Sequence, residues 1–220
     1  MINREKIGRI LSRSGMLLIA VSLFLFLFIF SPVIREEIRY YFYSNNNKLQ
    51  TDDIILNNNF ENKRDVIIPA DKDFSIIIPK IGANAPVIKN VDPFNGDEYR
   101  KKLTQGAAHA KGTAVPSESG NTFLFAHSSD NFYSANRYNT IFYLIHKLKK
   151  DDHFFIVYNE EIYDYVVSEV SIISADAGKY LKNEKFVGQS ATLMTCWPPG
   201  TVAKRLLITG ELEGVKESLN

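Results

Sequence analysis

Cys196 is the only cysteine among 220 residues, and it ends a β-type run, Ala191-Thr192-Leu193-Met194-Thr195-Cys196, that Trp197-Pro198-Pro199-Gly200 cuts off. Proline supplies no ladder N–H and fixes φ, so the strand stops there. A returning run, Arg205-Leu206-Leu207-Ile208-Thr209, begins nine residues after the cysteine. Paired as a hairpin, the two runs set Arg205 near Cys196. Side chains alternate along a strand, so Thr192, Met194 and Cys196 share one face and Ala191, Leu193 and Thr195 the other. Cysteine attacks as thiolate, and at an unperturbed pKa of about 8.5 only a few per cent is ionised at neutral pH. The chemistry therefore needs a base. Arg205, charged at any physiological pH and carrying five donors in a planar fork, suits either a developing oxyanion or substrate backbone carbonyls.

Thr192-Leu193-Met194-Thr195-Cys196 followed by Arg205 closely resembles the T-L-x-T-C signature of the sortases, cysteine transpeptidases of bacterial cell surfaces. Gly120-Asn121-Thr122-Phe123-Leu124-Phe125-Ala126-His127 resembles the family's upstream histidine segment, and the likeness runs from about Phe74 to the C-terminus, starting with Ile78-Pro79-Lys80-Ile81. The resemblance implies Cys196 as nucleophile, His127 as acid/base and Arg205 as electrostatic stabiliser, with Thr195 assisting through a hydroxyl or backbone contact. It implies cleavage of an L-P-x-T-G-type sorting signal of a secreted protein through a thioacyl-enzyme. An amine of a cell-wall precursor or a pilin lysine then resolves that intermediate. It also implies an eight-stranded closed β-barrel with one or two short helices, a mainly β fold, and no cofactor or metal.

The loop after Cys196 is short and unlike the best-known housekeeping and pilus-building branches, which leaves the subclass open. Trp197 either borders the substrate groove or packs as a rim residue. Asp92-Pro93-Phe94 has the residues of a pilus-type lid but falls after the first strand, so that role is not carried over. Glu160, Glu161, Asp164 and Glu169 beside one hairpin read as solvated charge, not as a calcium site. His109 and His153 read as boundary histidines, with a supporting role open for His109, and His146 as a solvated helical residue among Lys147, Lys149 and Lys150. Taken without the motif, a lone strand-end cysteine is usually a small buried hydrophobe. A thiol peptidase that mainly hydrolyses, and a tethered non-catalytic binding or scaffolding barrel, remain alternatives.

The elements that position these residues are short β runs: Phe74–Ile78, Pro86–Ile88, Thr122–Ala126, His153–Tyr158, Ile162–Val170, Ala191–Cys196 and Arg205–Leu212. Gly82–Ala85 reads as turn, and Asn159-Glu160-Glu161 as a hairpin connection. Ile141, Leu144, Ile145 and Leu148 recur at helical spacing and predict a short amphipathic helix. Ahead of this domain (74–220), residues 1–14 are basic, with Arg4, Lys6, Arg9 and Arg13, and 15–34 are almost entirely apolar. About 20 residues suffice to cross a bilayer, and no small-residue cleavage site follows, so the run reads as an uncleaved anchor with a cytoplasmic N-terminus. Residues 35–73, rich in asparagine, read as an extracellular stalk that continues as a short interfacial helix before losing order. A net charge of +1 from 26 basic and 25 acidic residues argues against a nucleic-acid partner.

Overall fold

The structure, a computed structural model, describes residues 4–46, 67–128, 141–176 and 188–216. The chain divides into two compact units, Met1–Arg39 and Tyr40–Asn220.

The apolar run forms helix α1, Arg4–Asn46. Its window Leu11–Phe28 has a mean hydropathy of 2.0 and is long and apolar enough to cross a membrane. Leu17, Phe24 and Phe28 are exposed, as suits a helix whose surroundings are lipid. The sequence suggests an end to the apolar run at Ser31-Pro32, yet the helix continues. Pro32 has no N–H for the Phe28 carbonyl four residues back, and the Ser31 hydroxyl donates to that carbonyl instead, at 2.9 Å. The expected stalk is thus helical as far as Asn46, and its residues 47–66 lie outside the described residues.

The second unit is a closed barrel of eight strands. These are β1 (Phe74–Ile78), β2 (Ala83–Val91), β3 (Ala107–Ala110), β4 (Gly120–Phe125), β5 (His153–Tyr158), β6 (Glu161–Ser174), β7 (Gln189–Trp197) and β8 (Lys204–Lys216). Their order around the wall is β1-β2-β3-β4-β7-β8-β6-β5, and β5 pairs with β1 to close it. Neighbours are antiparallel except β2 with β3 and β4 with β7. Helix α2, Gly96–Leu103, makes the crossover to β3. The Asn95 side chain caps it by accepting from the Glu98 N–H, an Asn-x-x-Glu signal of the capping type.

Several expectations shift by a few residues for local reasons. A single 3-10 turn, Pro79–Ile81, closed by Gly82 with φ at 63°, connects β1 to β2, so Ala83-Asn84-Ala85 already belong to β2. Asn159 and Glu160 both take positive φ, which the two-residue hairpin between β5 and β6 requires. The amphipathic segment forms a five-residue 3-10 helix, Tyr143–Lys147, because Leu148 turns extended. Gly106 leads into β3 where a Cβ would stand 2.2 Å from the Pro86 carbonyl, so only glycine allows that approach.

Ile76, Ile78, Leu124, Phe154, Ile156, Tyr165 and Leu193 are fully buried, with the Phe154 and Tyr165 rings stacked at 5.4 Å. The opposite face of the same wall carries a second cluster, Ile77, Phe155, Val157 and Ile162, against which Ile67 packs. Residues 67–73, expected to be stalk, clasp the barrel. Asn84 accepts from the Ala70 N–H (2.8 Å) and donates to the Ile68 carbonyl (2.6 Å), while the hairpin N–H groups of Asn159 and Glu160 donate to Asp73 and Lys72.

His109 is fully buried on β3. Its Nδ1 accepts from the Asn90 N–H at 3.3 Å, so Nε2 carries the proton toward the Ala114 carbonyl at 3.1 Å and the Thr113 hydroxyl at 3.0 Å. The ring is a neutral structural member of the wall. Burial pushes its pKa below the ordinary histidine value, helped by the nearby Lys89 charge. The unfolded imidazole takes up a proton below about pH 6.5 while the folded one resists until lower pH, so the unfolded state binds more protons there. Stability is therefore expected to fall on acidification below about pH 6.5, by up to ~1.4 kcal/mol per pH unit from this group. Urea unfolding of the detergent-solubilised chain between pH 5 and 7.5 checks this; His109→Gln should lower stability throughout and flatten the slope.

Candidate active site

The candidate site is built from the ends of three adjacent strands. β4 and β7 pair in parallel from Gly120↔Gln189 through Phe125↔Met194. Continuing that register by two residues sets His127 level with Cys196, on the same face of the wall. β7 and β8 pair antiparallel, with Cys196 directly opposite Arg205 and Trp197 opposite Lys204. The hairpin expected from the sequence is thus present, and the histidine enters through a parallel neighbour from much earlier in the chain.

Hydrogen bonds brace these strand ends. The Ala126 N–H donates to the Met194 carbonyl at 3.1 Å, and the buried Thr195 hydroxyl donates to the Ala126 carbonyl at 2.9 Å. Thr195 thereby ties the residue before Cys196 to the residue before His127. Cys196 is half-buried and in no disulfide. His127 is half-buried, with its Nε2 shielded from solvent. Arg205 donates from Nη1 to the carbonyls of Val202 and Lys204, at 3.1 and 3.0 Å. These bonds hold the guanidinium on its own loop and leave Nε and Nη2 as the donors for a bound group.

Trp197 is half-buried and packs on His146, ring centroids 5.5 Å apart. His146 is not the solvated helical residue expected: it is half-buried, its Nδ1 donates to the Tyr143 carbonyl at 2.9 Å, and the tight 3-10 turn aims its ring at Trp197. The tryptophan is thus a rim residue joining the β7–β8 loop to the 3-10 helix. Phe94, at the tip of Asp92-Pro93-Phe94, is 77% exposed between β2 and α2.

Among the described residues, His153, Asp164 and Glu213 offer one donor atom each within 4.8 Å of one another. Asp164 was expected to be solvated and is only 3% exposed. Its carboxylate accepts from His153 Nδ1 at 2.9 Å and faces Lys216 Nζ at 3.6 Å, while Glu213 stands 3.7 Å from His153. Ion pairing thus compensates the buried charge. Eight residues separate Glu213 from Arg205 along β8, roughly 26 Å, so this set is remote from Cys196.

Sequence reasoning missed the polar residues that tie these strands together. Asn121 Oδ1 accepts from the hydroxyls of Ser190 (3.2 Å) and Thr192 (3.0 Å), all buried. Their signal was legible, since Asn121, Ser190 and Thr192 are polar residues inside strands rich in buried apolar ones.

Thr195→Val should cost about 1–2 kcal/mol, because it strands a buried carbonyl, whereas Thr195→Ser should stay near wild type. Urea midpoints of the two variants check this.

The sequence model of the Sortase domain matches residues 76–213. The chain is 30% identical to "Sortase A" of Bacillus anthracis over 64% of its own length, spanning 60% of that relative. It is 27% identical to "Sortase A" of Listeria monocytogenes over 85% of its length and 86% of the relative's. Among solved structures, Listeria monocytogenes sortase A superposes with a TM-score of 0.53 at 27% identity, over 66% of this chain and 90% of that one. Actinomyces oris sortase C-1 gives 0.53 at 27% identity, over 66% and 76%. Similarity to both sortase A and sortase C structures leaves the subclass open. A domain match across most of the barrel, a closed eight-stranded fold and the Thr192–Cys196 motif beside Arg205 lead to one assignment: the chain belongs to the sortase family.

Proposed function

We propose that this protein is a membrane-anchored cysteine transpeptidase that cleaves an L-P-x-T-G-type sorting signal of secreted proteins and joins the threonine carbonyl to an amine. The observation that carries the reading is the shared strand register, which sets His127 level with Cys196 and Cys196 opposite Arg205. Cys196 Sγ attacks the threonine carbonyl carbon after its proton passes to His127. The oxyanion is met by Arg205 Nε or Nη2. When the C–N bond breaks, His127 returns the proton to the leaving amine, and the thioacyl-enzyme remains. An incoming amine, from a cell-wall precursor or a pilin lysine, attacks the thioester carbonyl. It gives its proton to His127 as Sγ departs as thiolate. Water in place of the amine gives hydrolysis.

Helix α1 supports a single-pass anchor, and the basic residues ahead of it support a cytoplasmic N-terminus with the barrel outside. Trp197, packed on His146 next to Cys196, serves as a low wall for the peptide, and Thr195 acts through the strand end it braces.

The test incubates the detergent-solubilised chain with an L-P-x-T-G peptide library and oligoglycine, following products and adducts by mass spectrometry. Expected is a thioester on Cys196 that the amine resolves into a ligated product, and none with Cys196→Ala. His127→Ala should slow turnover about 10²- to 10⁴-fold and Arg205→Ala about 10²- to 10³-fold, with Arg205→Lys a poor substitute for the planar fork. No adduct with any peptide, together with a thiol that resists alkylation until the chain unfolds, would favour a tethered binding barrel.

A further inference from the structure

β4 and β7 are buried on both faces over most of their length, so no alternation of apolar and polar residues tells one register from another. Parallel ladders are evenly spaced, and a slip by two residues keeps every side chain on its face while moving the strands about 6.6 Å. Such a slip would bring His127 level with Met194 or Pro198 instead of Cys196. Something other than hydrophobicity must select the register.

The buried polar residues of these strands meet that requirement. Asn121 pairs with Ser190, and the reactive pair His127 and Cys196 stands six residues further along each strand, on the same face. Asn121 Oδ1 accepts from Ser190 Oγ, level with it on β7, and from Thr192 Oγ1, two residues further on. With its proton committed to Asn121, Thr192 Oγ1 accepts from Thr209 Oγ1 on β8, at 3.5 Å. Thr192 pairs with Thr209 just as Cys196 pairs with Arg205 four residues beyond. One polar cluster thus spans the three strands that carry the histidine, the cysteine and the arginine.

We propose that Asn121, Ser190, Thr192 and Thr209 act as positioning residues: their buried hydrogen-bond network selects the mutual register of β4, β7 and β8 and so aligns His127, Cys196 and Arg205. A slip by two residues in either direction would take one of the two hydroxyls, Ser190 or Thr192, out of reach of Asn121 and leave it unsatisfied, a cost that apolar residues at those positions would not impose. This is the use to which a single buried polar residue is put in fixing coiled-coil register. The inference rests on the assignment of Cys196 and His127 as the reacting pair.

The test uses the full chain in detergent and two sets of variants. Asn121→Leu, Ser190→Ala and Thr192→Val together replace the network by apolar groups of similar shape, whereas Thr192→Ser keeps the hydroxyl. Three quantities are read: the urea midpoint, kcat and KM on the best peptide, and the pH dependence of Cys196 alkylation by iodoacetamide. The triple variant is expected to unfold near the wild-type midpoint yet lose about 10- to 100-fold in kcat, as misplacement by an ångström does, with KM little changed. Its alkylation profile should move toward that of an unassisted thiol, near pH 8.5. Thr192→Ser should keep the wild-type values. If the triple variant does not fold, Thr192→Val against Thr192→Ser reads the same contrast. Wild-type kcat and alkylation profile in a folded triple variant, or equal losses in Thr192→Val and Thr192→Ser, would overturn the positioning role. A wild-type thiol that forms no adduct and shows no assisted alkylation instead removes the assignment of the reacting pair.

Discussion

A parallel contact between β4 and β7 is the constraint on which the rest of the barrel domain depends, because it joins segments some seventy residues apart without a local turn to set their alignment. An antiparallel hairpin such as β7–β8 carries its register in its loop. A parallel pair has no such help, and the chain between its partners runs through other parts of the wall. Here that chain makes β5 and β6, which pair with each other and with β1 and β8. The β5–β1 contact closes the wall, so β4 and β7 are held between neighbours on both sides. The ends of β4, β7 and β8 then share one corner, where a thiol, an imidazole and a guanidinium come from three stretches of sequence.

The same wall buries apolar side chains on both faces in its β1–β5–β6 sector. Phe154 and Ile156 pack one way and Phe155 and Val157 the other, so these strands read as continuous apolar runs. The second face exists because residues 67–73 fold back over it, Ile67 onto the apolar cluster and the backbone onto Asn84 and the β5–β6 hairpin. The segment that joins the barrel to the rest of the chain is therefore part of its packing. Asp164 lies on this face too, and its charge is tolerated because His153 and Lys216 stand against it.

The loop after the cysteine shows how much a short connection settles by packing. Trp197 leans on His146, the Thr201 hydroxyl donates to the Pro198 carbonyl at 2.8 Å, and Arg205 donates to Val202 and Lys204. Each contact removes freedom from the backbone that carries the guanidinium, so its remaining donors keep a fixed direction.

Local chemistry in the chain was enough to determine the long apolar helix, most strand runs and the Thr192–Cys196 hairpin with Arg205, since period-2 runs, prolines and turn residues act over a few neighbours. It also held the signal of helix α2 in Asn95-Gly96-Asp97-Glu98, although eight residues with little apolar content do not announce a helix. β3, four residues long and mostly alanine, was illegible because its stability comes from β2 and β4, not from its own sequence. The inward turn of His146, the burial of Asp164 and the clasp of residues 67–73 were likewise invisible, each depending on a partner far away in the chain. The candidate residues Cys196, His127 and Arg205 could be named from their motifs, but the alignment of His127 with Cys196 was decided only by the folded barrel. Parallel pairing is a non-local contact, and no spacing between two segments states which rung of one ladder meets which rung of the other.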